Sequence, residues 1–269
     1  MNMSLPPTRY RPEDIKKSES PVVCLTAYTA DIARILDAEV DILLVGDSVG
    51  MVLYGFPDTL SVTLDMMITH GAAVVRSTSQ ALVVVDMPIG TYEKSPEKAL
   101  QNAQRIMDET GCSAIKLEGG ADLADTIRYL VENDIPVMGH IGLLPQSIEK
   151  TGGYKIQGRD KDSAQKLITD AKAIMEAGVF SIVVEGTVEP VARRITDAVD
   201  VPTIGIGASA ACNGQVLVIT DLLGLTPKPP RFAKAYANLS PIIREAVKTY
   251  ADDVKARRFP DADHVFTVK

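Results

Sequence analysis

The chain has 269 residues, 46% of them hydrophobic and 23% charged, and carries a formal net charge of -7. That length suits one α/β barrel or two smaller domains, and the acidic balance lacks the basic footprint that nucleic acid or an anionic membrane surface demands. The partners to expect are small molecules and further copies of the chain. Cys24, Cys112 and Cys212 are scattered, with neither disulfide-framework nor metal-ligand spacing, so they read as free thiols of a cytoplasmic protein. No apolar run reaches the roughly 20 residues of a membrane span.

Residues 1–20 read as a polar leader. Apolar, β-branched runs then recur over 22–28, 41–47, 81–88, 114–119, 136–142, 181–186, 202–208 and 216–220, each a candidate strand. Helical spacing falls between them, over 95–110, 122–133, 163–177 and 189–199. Ser95-Pro96-Glu97 is a good helix start, and Gly111 and Gly178 sit where helices would end. The charges from Asp31 to Glu39 and at Arg257-Arg258 read as solvated faces. Gly205-Ile206-Gly207-Ala208 lacks the spacing of a dinucleotide fingerprint and reads as a tight βα turn.

Strands and helices alternating in this way fit one (β/α)8 TIM barrel occupying the whole chain, 1–269, with an added C-terminal helical segment and tail over 238–269. That added segment would cap the barrel or join subunits. A doubly wound open sheet is the structural alternative. Loops entering strands are short, as at Glu39-Val40 and Asp134-Ile135, whereas 48–62 and 143–162, which leave strands, are long. Long loops after strands build the active face of such barrels.

Polar groups gather at those strand ends: Asp47-Ser48, Asp86, Lys116 with Glu118, His140 and Glu185. Lys116 and Glu118 are two apart and share a face. One carboxylate alone reads as a helix cap or a loop ion pair, but several at one mouth repel and need a cation or altered ionisation to coexist. Hard oxygen ligands without a His/Cys cluster favour Mg2+. Glu185, closing the run Ile182-Val183-Val184, suits general-base work. Lys116 reads as a counter-charge either for an anionic substrate or for Glu118, and His140 as either a catalytic acid or a core histidine. A Mg2+ ion, a lysine and a poised glutamate suit proton abstraction beside a carbonyl, with the metal holding the enolate.

Several motifs in fixed order resemble the ketopantoate hydroxymethyltransferase family. They are Leu25-Thr26-Ala27-Tyr28, Leu44-Val45-Gly46-Asp47-Ser48, Asp86-Met87-Pro88, Lys116-Leu117-Glu118-Gly119-Gly120, Gly139-His140-Ile141-Gly142, Pro145-Gln146-Ser147 and Gly152-Gly153-Tyr154-Lys155-Ile156-Gln157-Gly158-Arg159. The resemblance implies transfer of a hydroxymethyl group from the co-substrate 5,10-methylenetetrahydrofolate to 3-methyl-2-oxobutanoate in pantothenate biosynthesis, giving 2-dehydropantoate and tetrahydrofolate. It also implies Mg2+ on Asp47 and Asp86 with Glu118 in the same shell. The keto acid would meet Asp47, Ser48, Asp86, Lys116 and His140, the proton would go to Glu185, and the assembly would be a decamer. Thr29, Leu144, Ser209 and Asn213 depart from the family's usual residues. The alternatives are another Mg2+-dependent 2-oxo-acid carbon-carbon lyase or mutase on a related barrel, and a catalytically silent barrel used for binding or assembly. The lyases and mutases commonly carry a Lys-Lys-Cys-Gly-His loop, which this chain lacks.

Overall fold

The computed structural model describes residues 9–267. Of the expected polar leader, residues 1–8 lie outside the described residues, and Pro12–Lys16 forms a short helix. Eight strands follow: β1 Val22–Thr26, β2 Ile42–Val45, β3 Leu82–Asp86, β4 Ala114–Glu118, β5 Val137–Gly142, β6 Ser181–Glu185, β7 Thr203–Ile206 and β8 Gly214–Leu217. They close into a barrel in sequence order, every pair parallel, with β8 returning to β1 from Val22↔Gly214 to Leu25↔Leu217. Closure rules out the open sheet. Every residue of β2, β3, β4 and β7 is buried, as expected of strands covered by helices on one side and by barrel filling on the other.

The last strand differs from the expected 216–220. It begins at Gly214 and ends at Leu217, and a helix starts at Ile219. Gly214 explains the shift: a Cβ there would lie 2.4 Å from the Val22 carbonyl oxygen, so only glycine lets the closing strand approach β1 this closely.

The helices form where their caps predict. In Pro96–Thr110 the Ser95 hydroxyl accepts from the Lys98 N–H at 3.2 Å, and Gly111 stops the helix at φ +71°. Its buried residues, Ala99, Asn102, Ala103, Ile106 and Thr110, recur at helical spacing. Lys161–Glu176 starts earlier than expected because Asp160 accepts from the N–H groups of Asp162 and Ser163.

Asp37 corrects the reading of 31–39 as a solvated face. It is 8% exposed and accepts from the backbone N–H groups of Ser79, Gln80 and Ala81 at 2.7, 3.0 and 3.0 Å. Arg9 donates to the carbonyls of Thr78 and Ala81 on the same loop. That loop, leading into β3, has partly buried backbone groups outside the strand ladder, and these two side chains satisfy several of them.

The chain divides into two compact units, the barrel ending at Val218 and a smaller unit from Ile219. The smaller unit contains helices Ile219–Leu222 and Leu239–Lys255 and a 3-10 turn, Ala262–His264. Leu239–Lys255 falls within the expected helical segment and buries none of its residues.

Candidate active site

Strand register brings the charged residues together. Asp86 is the Cα partner of Lys116, Glu118 that of His140, and Glu185 that of Gly142. The polar ends of β2 to β6 therefore form one contiguous arc of the barrel mouth. Asp47, Asp86, Lys116, Glu118 and His140 are all 5% exposed or less, whereas the Glu185 side chain is 18% exposed.

Asp47 follows β2 after Gly46. Its backbone N–H donates to Asp86 Oδ2 at 3.0 Å, and its Oδ2 accepts from Gln146 Nε2 at 2.9 Å. A Cβ on Gly46 would lie 2.9 Å from Ser48 Oγ, so the glycine leaves room for the hydroxyl that follows. Burial, and then the charges of Asp86 and Glu118, push the Asp47 carboxyl up to about 8.

Lys116 Nζ lies 3.0 Å from Asp86 Oδ1 and 3.3 Å from His140 Nδ1. Burial works against its charge, but Asp86, Glu118 and Asp47 outweigh that and hold the ammonium protonated. Burial also raises the Asp86 carboxyl, against the pull of Lys116. The ion-pair partner of Lys116 is Asp86, where the sequence pointed to an anionic substrate or Glu118.

His140 stands between two carboxylates. Nδ1 is 3.4 Å from Glu118 Oε1 and Nε2 is 3.3 Å from Glu185 Oε2. Burial and Lys116 oppose its protonation, yet Glu118 and Glu185 carry its pKa up to about 9. Burial likewise acts to raise Glu118, and His140 together with Lys116 and the Gln146 N–H brings it below its ordinary value.

Two anchoring groups went unassigned in the sequence. Gln146, in the 3-10 turn Pro145–Ser147, bridges Asp47 and Glu118, and the Tyr92 hydroxyl donates to Gln146 Oε1 at 2.6 Å. A third residue, Tyr28, places its hydroxyl 2.7 Å from Ser48 Oγ. Gln146 and Tyr28 lie within the quoted motifs, and that recurrence was the one signal that marked them. Of the expected turn at Gly205 to Ala208, Gly205 and Ile206 instead complete β7, and the chain turns at Gly207-Ala208, with Gly207 left-handed at φ +59°.

Among the described residues no three His, Cys, Asp or Glu side chains form a ready-made ligand cluster. Asp86 Oδ1 and Glu118 Oε1 are buried with ion-pair contacts alone, to Lys116 Nζ at 3.0 Å and to His140 Nδ1 at 3.4 Å. Mg2+ commonly retains several waters and takes only one or two carboxylates directly, so it needs no preformed protein cage. Three buried carboxylates at one mouth, with Asp47 raised by burial and then by the charges of Asp86 and Glu118, suit such a cation.

The model of the ketopantoate hydroxymethyltransferase family matches residues 10–262. The chain is 56% identical over 272 residues to the 3-methyl-2-oxobutanoate hydroxymethyltransferase of Brucella canis, covering 99% of each. It is 60% identical over 254 residues to that of Paramagnetospirillum magneticum, covering 94% of this chain and 93% of the relative. Among solved structures, 2,3-dimethylmalate lyase, a PEP mutase/isocitrate lyase superfamily member, aligns over 94% of this chain and 86% of its own, with a TM-score of 0.60 and 17% identity. Phosphoenolpyruvate phosphomutase from Streptomyces platensis aligns over 95% and 90%, with a TM-score of 0.60 and 13% identity. Those lyases and mutases share the barrel, whereas close sequence identity runs to the transferases along nearly the full length. By that identity and the family match, the chain belongs to the ketopantoate hydroxymethyltransferase family of enzymes.

Proposed function

We propose that this enzyme transfers the one-carbon unit of 5,10-methylenetetrahydrofolate to C3 of 3-methyl-2-oxobutanoate, giving 2-dehydropantoate and tetrahydrofolate. The observation that carries the reading is the arc of buried charge at the ends of β2 to β6, in a chain of this family. Asp47, Asp86 and Glu118 would hold Mg2+. When bound, the metal supplies a Lewis acid that polarises the 2-oxo group and favours loss of the C3 proton.

The remaining work falls to the chain's own residues. The Lys116 ammonium, kept charged by the carboxylates around it, offers a positive site to the keto acid's carboxylate, and the Ser48 hydroxyl offers a hydrogen bond. Glu185 is the least buried of the four carboxylates and takes the C3 proton, with His140 3.3 Å behind it to orient the carboxylate. C3 then forms the new carbon–carbon bond. Both bonds from the one-carbon unit to the folate nitrogens N5 and N10 are broken, one water supplies the oxygen and proton of the new hydroxyl, and the C3 proton and the other water proton finish on the two nitrogens of tetrahydrofolate.

The assembly in this reading is a homo-oligomer, the decamer that the family resemblance implies. Ile242, Ile243, Val247, Tyr250 and Val254, exposed on Leu239–Lys255, support association. A cytoplasmic setting is supported by three free, buried cysteines, and no helix among the described residues is long and apolar enough to cross a membrane. The test is product formation by the purified protein from keto acid and methylenetetrahydrofolate, with and without Mg2+. Absence of product with every component present would overturn the assignment.

A further inference from the structure

Gln146 is 4% exposed and plays no part in the reaction outlined above, yet its polar atoms are fully used. Nε2 donates to Asp47 Oδ2 at 2.9 Å and to the Met87 carbonyl at 3.0 Å. Oε1 accepts from the Tyr92 hydroxyl at 2.6 Å, and the backbone N–H donates to Glu118 Oε2 at 3.0 Å. Two acceptors at one end of the amide and a hydroxyl at the other admit a single orientation. Turned over, the amide oxygen would face a carboxylate and a carbonyl. Tyr92 is itself 2% exposed, so water does not compete for that contact.

We propose that Gln146 is a positioning residue that holds the Asp47 and Glu118 carboxylates in place as ligands of a divalent cation, and that Tyr92 acts through it by fixing its amide; this rests on the metal reading above. A lysine or arginine at position 146 would bring Asp47 a competing positive charge. A neutral amide orients the carboxylate and leaves its full negative charge for the cation. One loop residue thereby ties together the segments that follow β2 and β3 and the last residue of β4. Outer-shell hydrogen bonds of this kind govern metal affinity, and their loss commonly costs about 10-fold to 100-fold.

The experiment is calorimetric titration of metal-stripped full-length protein with Mg2+, without substrates, for wild type, Gln146→Met, Tyr92→Phe and the double variant. Circular dichroism and thermal melts establish that each is folded. Gln146→Met should bind Mg2+ about tenfold more weakly, and Tyr92→Phe several-fold more weakly. Tyr92→Phe should cost less once Gln146 is replaced, because only the direct contacts of the Tyr92 hydroxyl with the Glu118 backbone carbonyl and N–H, at 3.1 and 3.3 Å, then remain for it to lose. A general loss of packing would lower the melting temperature and would not produce that non-additivity. If wild type takes up no Mg2+, the metal reading fails and this role falls with it. If wild type binds Mg2+ and Gln146→Met binds it equally well, the positioning role alone is overturned. Independent, multiplying effects of the two substitutions would remove Tyr92 from the scheme. Should Gln146→Met fail to fold, Tyr92→Phe carries the test, and unchanged affinity there overturns the proposal.

Discussion

Glu185 and Lys116 show how differently two charged residues of one mouth can be placed. Glu185 is partly open, with His140 as its neighbour, so Glu185→Gln should keep the fold and keto-acid binding. Exchange of the substrate C3 proton, followed by NMR in deuterated water, should drop by at least 100-fold; unchanged exchange would remove Glu185 as the base. Lys116 is buried against Asp86. Lys116→Met strands that carboxylate and should cost about 3–5 kcal/mol in urea denaturation at pH 7. A loss below about 1 kcal/mol would mean that Asp86 is relieved in another way. The charged residues were legible because they recur at the ends of successive apolar runs, which strand register brings to one mouth. Gln146 was not, because a neutral amide inside a long loop carries no local pattern, and its partner Asp47 lies 99 residues away. Asp37 misled for a related reason: its neighbours in sequence spell a helix surface, while the N–H groups it binds lie 42 to 44 residues on.

At the level of elements, strands were readable wherever both faces are buried, since continuous apolar runs leave little choice of period. The end of β8 was not. The apolar pattern runs on through Ile219, and nothing local separates a last strand residue from a first helical one. The loop into β3 gives an element-scale prediction. Burial acts to raise the Asp37 carboxyl, but hydrogen bonds from Ala81, Ser79 and Gln80 outweigh it and hold the pKa below its ordinary value. A carboxyl with a depressed folded pKa adds stability above its unfolded pKa, about 3.9, and loses that contribution as pH falls through the folded value. Asp37→Asn should therefore destabilise by about 2 kcal/mol near pH 7, with the gap from wild type narrowing below about pH 4. Denaturant melts across pH would show this, and a gap independent of pH would refute it.

For the whole molecule, cation binding and folding should be linked. Carboxylates that repel one another across the mouth are a cost of folding which a bound cation removes. Mg2+ at about 100 times its dissociation constant should stabilise the protein by about 2.7 kcal/mol relative to a chelator-treated sample, read as a rise in melting temperature. Identical melts would argue against a site in the folded state. The pairing of Asp86 with Lys116 and of Glu118 with His140 also bears on how the barrel assembles. In a parallel sheet, a slip of one residue turns a strand's faces over. For β4 that would press Lys116 and Glu118 into the helical layer and turn Ile115 and Leu117 toward the mouth, leaving charges buried without partners at several kcal/mol each. A barrel of uniformly apolar strands would penalise such a slip far less. Before any substrate arrives, the residues set aside for chemistry act as a registration mark, selecting the one alignment of neighbouring strands in which Asp86 meets Lys116 and Glu118 meets His140.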